Sequence, residues 1–294
     1  MKDKFKFIIA VISFGTIGVF VRNIPINSSE IALFRALIAL ITLSGYIFIT
    51  KNYKKLFVSK NNFFKLFISG TAIGFNWILL FEAFKHTSIA LATLSYYFAP
   101  LIVVVLSSLI FKERLGLKQI LCFLGSTVGL VMIVYTGAGK EGNTIGIIFG
   151  LSAAVLYATV ILINKQIKGV DPISRTILQF LSAIIVLIPY VALTTGFNFL
   201  ELGFTGITNL AILGVYHTGI VYCLYFFGVN KLKGQEVAVL SYLDPVVAVL
   251  LSVTFLGEKI LPLQLVGGTI ILLATFLNEF RRNYAKNTRK SDKN

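Results

Sequence analysis

Apolar residues run along this chain in unbroken stretches separated by short polar breaks. The segments 86–111, 142–163 and 202–230 are almost free of Asp, Glu, Lys and Arg, and each is long enough to cross a bilayer as a helix. Placing breaks at charges and at Gly/Pro/Asn clusters predicts ten spans: 5–22, 31–50, 63–84, 88–111, 116–136, 144–164, 174–195, 206–229, 235–256 and 261–280. The first follows a basic start (Lys2, Lys4, Lys6) and an apolar stretch, as a signal peptide would. No A-x-A cleavage site comes after it and nine further spans do, so it reads as a retained helix.

Composition sharpens the class. Hydrophobic residues make up 56% and charged residues 13%, and mean hydropathy is +0.86, which excludes an ordinary soluble domain. The 27 Lys+Arg exceed the 12 Asp+Glu by 15. On a soluble chain that excess would point to nucleic acid. Here the cations fall in the breaks, so no nucleic-acid partner is expected. With both termini inside, 22 of the 27 cations lie on the cytoplasmic side, in agreement with the positive-inside rule. The expected location is the cell membrane, multi-pass, with N and C termini cytoplasmic. Cys122 and Cys223 lie inside apolar runs and read as packing residues; no metal or cofactor motif is present, and none is expected. Gly137–Gly142 fits GxGxxG but follows no strand, so it carries no dinucleotide site. The Gly-x3-Gly pairs 70/74, 125/129 and 146/150 read as helix-packing seams.

Self-comparison reveals a duplication. At a shift of 145 residues Tyr97 matches Tyr242, and Pro100, Val104, Leu106, Ser107, Glu113 and Gln119 match Pro245, Val249, Leu251, Ser252, Glu258 and Gln264. Seven identities in 23 gapless positions exceed chance. Five spans per copy invert the second copy in the membrane. The fold expected is an all-α polytopic membrane protein, ten transmembrane helices as two inverted five-helix repeats. The first repeat covers 1–137 and the second 138–280, followed by a basic cytoplasmic tail, 281–294. Inverted repeats mark alternating-access carriers with a midplane site between the halves.

The segment Leu94-Ser95-Tyr96-Tyr97-Phe98-Ala99-Pro100, then Phe111-Lys112-Glu113 and Gln119, resembles the EamA repeat of the drug/metabolite transporter superfamily. Leu240-Ser241-Tyr242-Leu243-Asp244-Pro245, then Gly257-Glu258-Lys259 and Gln264, resembles it more closely, and Phe34-Arg35 suits the family's second helix. Cys122 in place of Gly267, and Lys112 where the second copy has Gly257, depart from the pattern. The resemblance implies a ten-helix inner-membrane carrier, usually an exporter of amino acids or other small metabolites.

Several residues are candidates for the chemistry. Pro100 and Pro245 sit mid-span and should kink their helices, freeing carbonyls for ligand or serving packing alone. Asp244 lies about ten residues, or roughly 15 Å, inside its span, where a carboxylate must face water, pair or hold a proton. It is read as a site for a substrate ammonium or a coupling proton, against a neutral structural acid. His217 is a second intramembrane titratable group, either in a relay with Asp244 or a hydrogen-bonded packing residue. Arg35 and Glu82 fall toward the outer ends of adjacent spans. They would form a gate or a static pair, unless Glu82 bonds Lys85 or His86 on its own helix and Arg35 holds a substrate carboxylate. Asn76, Trp77, Tyr96, Tyr97, Tyr157, Tyr216 and Tyr242 cluster at mid-depth and suit an amphipathic solute.

The leading function is secondary active export of small metabolites, amino acids first among them, by alternating access. The expected partners are a small-molecule substrate, the lipid bilayer and a coupling proton, with the protein a monomer or homodimer. Passive facilitation of the same solutes stands beside it. A channel, or a membrane-embedded enzyme using His217 and Asp244, is disfavoured for want of a nucleophile or metal cluster; no enzyme is expected.

Overall fold

The computed structural model describes residues 2–51, 56, 58–111, 116–137, 141–167, 169–225, 240–241 and 243–291. These residues form helices and connecting turns, with no strand among them. In chain order the helices are α1 Lys2–Gly15, α2 Ile17–Arg22, α3 Ser28–Ile49, α4 Lys60–His86, α5 Ile89–Tyr96, α6 Ala99–Phe111 and α7 Leu117–Gly137. There follow α8 Glu141–Gln166, α9 Pro172–Thr194, α10 Phe204–Ala211, α11 Leu243–Thr254 and α12 Pro262–Ser291. A π-helical segment, Ile212–Ile220, prolongs α10, and the apolar run continues to Tyr225.

Six helical segments among the described residues are long and apolar enough to cross a membrane: Lys4–Arg22, Ser28–Ile49, Lys60–His86, Thr144–Asn164, Ile173–Thr194 and Phe204–Tyr225. The remaining predicted spans are met by shorter apolar helices, Ile89–Val103, Ile120–Ile133, Leu243–Thr254 and Pro262–Ala274. Large apolar side chains remain exposed along many of them, including Phe48, Leu193, Phe204 and Phe255. That is the surface of a multi-pass membrane protein, since lipid rather than water solvates it.

Small residues set the closest approaches. A Cβ on Gly70 of α4 would collide with the Gln179 carbonyl of α9, and one on Gly150 of α8 would stand 3.1 Å from the Ala92 carbonyl of α5. Gly129 of α7 and Gly267 of α12 each face the other's carbonyl at 2.5 Å. Gly125 departs from the expected seam, since open space surrounds it. Both cysteines are free thiols, as their apolar surroundings suggest.

Two spans are broken rather than bent. Gly15-Thr16 interrupts the first: Thr16 N donates to Ser13 O at 3.1 Å, and its hydroxyl donates to the same carbonyl at 2.8 Å, tightening the turn between α1 and α2. The fourth span parts at Tyr97-Phe98, one turn before Pro100 would kink it. Pro100 is the second residue of α6, where its missing N–H is one that the start of a helix leaves unpaired anyway. Pro245 lies within α11.

Candidate functional site

The two broken helices meet at Asp244. A Cβ on Gly15, at the α1–α2 break, would approach the Asp244 carbonyl to 2.6 Å. From the α5–α6 break, the Tyr97 hydroxyl donates to Asp244 Oδ2 at 2.8 Å. Tyr97 belongs to the first half of the chain and Asp244 to the second, so this bond links the halves. It is the sole hydrogen bond to the Asp244 carboxylate among the described residues. Tyr96 stands edge-on to Tyr97 at 6.3 Å and against Tyr157 at 5.4 Å. Asn76 donates to the Ala153 carbonyl at 2.6 Å, fixing α4 on α8 beside these rings.

Two expected pairings do not form. His217 does not bond Asp244. Its Nε2 meets the Thr16 hydroxyl at 2.7 Å, and its ring lies 4.8 Å from Phe20 and 5.0 Å from Tyr216. The π-helical register turns the imidazole toward α2, and Tyr216 reaches the Ser13 hydroxyl at 2.8 Å from the same face. Arg35 does not bridge to Glu82. Glu82 pairs with His86 of its own helix at 3.5 Å, where both are partly exposed. Arg35 instead points inward: its Nε donates to Thr218 Oγ1 at 2.6 Å, and its guanidinium lies 4.5 Å from the Trp77 ring centre and 5.7 Å from that of Phe81. A residue expected near an outer gate therefore lies beside the π-helical segment, buried to 3% exposure. The phenols close enough to act on its charge are Tyr222 and Tyr96. Tyr242 lies outside the described residues.

A different set of residues closes one end of the bundle. Glu258 accepts from Arg22 Nη1 and from Ser252 Oγ, and it takes the Ile89 N–H at 3.0 Å, so it caps α5. Arg22 Nη2 also donates to the Thr87 carbonyl at 2.8 Å. Gly257, at φ 62°, supplies the left-handed turn that aims Glu258 back at α5. Fully buried Glu30 accepts from Asn198 N at 2.6 Å and from Asn198 Nδ2 at 3.1 Å, tying α3 to the turn after α9. Lys85 donates to the Ile26 carbonyl at 2.5 Å. Sequence reasoning passed over Glu30, Thr16, Ser13 and Thr218. The Gly15-Thr16 pair inside an apolar run was the available signal for the first break, and nothing in the sequence flags the π register.

Comparison with known proteins fits this architecture. The profile of the EamA-like transporter family matches residues 4–135 and again 144–280. The chain is 30% identical over 288 residues to the uncharacterized transporter YxxF of Bacillus subtilis (strain 168), covering 94% of this chain and 89% of that one. It is 26% identical to a probable amino-acid metabolite efflux pump of Salmonella typhimurium (strain LT2), over 72% of this chain and 75% of the pump. A crystal structure at 16% identity superposes with a TM-score of 0.66, covering 93% of this chain and 95% of the other, which speaks for a shared fold.

Proposed function

The chain belongs to the EamA-like transporter family, and from that premise we propose that it is a secondary carrier exporting small amphipathic metabolites, amino acids first among them, by alternating access. In this reading the ten spans form two inverted five-helix repeats with both termini in the cytoplasm. The solute binds between the halves, at the level where α1–α2 and α5–α6 are broken. Discontinuous helices suit such a site, because their ends offer unpaired backbone groups to a ligand within the bilayer.

The observation that carries the reading is the Tyr97–Asp244 hydrogen bond. It joins the broken helix of one half to a central acid of the other, so a group that displaces it also loosens the halves. An ammonium or a proton at Asp244 does so by neutralising the carboxylate. Tyr96, Tyr157 and Trp77 supply aromatic surface for the solute's apolar part. The Salmonella relative named as an amino-acid metabolite efflux pump agrees with this solute class.

Passive facilitation is the second reading, favoured by the separation of His217 from Asp244: these two groups make no proton relay with each other. Counterflow decides whether the protein is a carrier at all. Proteoliposomes preloaded with an unlabelled amino acid should transiently accumulate the labelled one. Labelled solute that only equilibrates, at a rate that never saturates, would indicate a channel and refute both readings.

A further inference from the structure

Arg35 is a buried cation with no counter-ion among the described residues, and we infer that it is the anion subsite of the carrier, receiving the carboxylate of the transported solute. The inference rests on the carrier reading above and gives that site its second charge. Arg35 is 3% exposed. Its Nε is held by Thr218, and among the described residues its two terminal nitrogens make no hydrogen bond or ion pair. Four acids of the bundle that the structure describes are engaged elsewhere: Glu30 by Asn198, Glu82 by His86, Asp244 by Tyr97 and Glu258 by Arg22.

A guanidinium does not shed its proton in a protein, so it cannot escape burial by becoming neutral. Burying it unpaired costs several kcal/mol. The Trp77 face and a neutral hydroxyl return only part of that. The missing contribution is an anion. With Nε anchored on Thr218, the two terminal nitrogens present a planar fork, which matches a carboxylate in two parallel hydrogen bonds. A dianionic phosphate would call for further cations, and His217 beside it is already bonded to Thr16.

The chain carries a single Trp, and it is Trp77, so its fluorescence reports on this site without a label. The purified full chain is titrated with three solutes of one skeleton: 4-methylvalerate, L-leucine and isoamylamine. In the wild type the two carboxylates should change Trp77 emission saturably. Arg35→Gln should raise their half-saturation about 10- to 100-fold, the range expected when a charge-assisted bidentate contact is lost. Isoamylamine should respond equally in both proteins. Thr218→Val keeps the charge and removes the Nε anchor, together with the hydroxyl's bond to the Leu213 carbonyl. It should weaken the carboxylates by about threefold to tenfold, and it stands in if Arg35→Gln melts at a markedly lower temperature. Carboxylate binding unchanged in these variants overturns the inference, and so does a folded wild type that responds to neither carboxylate. A saturable response without counterflow would sink the carrier reading while keeping the anion subsite. Counterflow of the amine alone would do the reverse.

Discussion

Two carboxylates of the second half, fourteen positions apart, live in opposite surroundings. Glu258, at one end of the bundle, accepts from Arg22, from Ser252 and from the first amide of α5. Asp244, near mid-bundle, holds one phenol. The contrast extends to the cations: Arg22 has a carboxylate and a backbone carbonyl, whereas Arg35 has a threonine and an aromatic face. A charge with a full set of partners fixes helices in place. A buried charge with an incomplete set leaves room for a ligand to finish it, and this difference distinguishes the tie at the end from the site proposed in the middle.

Removing the saturated acid should do the most damage to stability. Glu258→Ala strips Arg22 of its counter-ion and uncaps α5 together, so we expect a loss of about 2–3 kcal/mol, discounted because Arg22 is partly exposed. The check is a lowered thermal melting point in detergent. If the melting point were unchanged, the end of the bundle would not be tied by this network. Tyr97→Phe should matter less to stability and more to function. One neutral-donor hydrogen bond to a charged acceptor is worth about 1.5–3 kcal/mol, part of which solvent in an open site would replace. An altered half-saturation for transport with nearly normal melting is the expected pattern. Thr16→Val should be the mildest, about 1 kcal/mol: it removes the hydroxyl that meets His217 and the Ser13 carbonyl, while the backbone bond from Thr16 N to Ser13 O still holds the turn. A Thr16→Val protein as damaged as Glu258→Ala would mean that the central contacts are structural after all.

The duplication and the apolar runs made the helical architecture legible before any coordinates, because lipid leaves a chain few ways to satisfy its backbone. The helix positions follow those runs closely; Phe204–Tyr225, for example, fills the predicted eighth span up to the last described residue before 240. Asp244 and the tyrosines were also legible as polar groups where polar groups are costly. Side-chain partners were not. Arg35 sits on the same helix wherever its side chain points, and its turn toward Thr218 rather than Glu82 depends on the π register of Ile212–Ile220. Gly214 and Gly219 of this segment lie close against Ile38 and Thr42 of α3. A hydropathy pattern carries no trace of that register. Pro100 shows an intermediate case, since proline signalled a discontinuity and the chain answered with a break one turn earlier.

Gradient-driven accumulation in proteoliposomes, wild type against Asp244→Asn, tests the account most directly. Asparagine keeps the bond from Tyr97 and gives up the titratable charge, so the bundle should melt as before. The wild type should concentrate labelled amino acid when a pH gradient is imposed, and the Asp244→Asn protein should only equilibrate it. Equal accumulation by the two proteins would contradict the account and return Asp244 to a purely structural role.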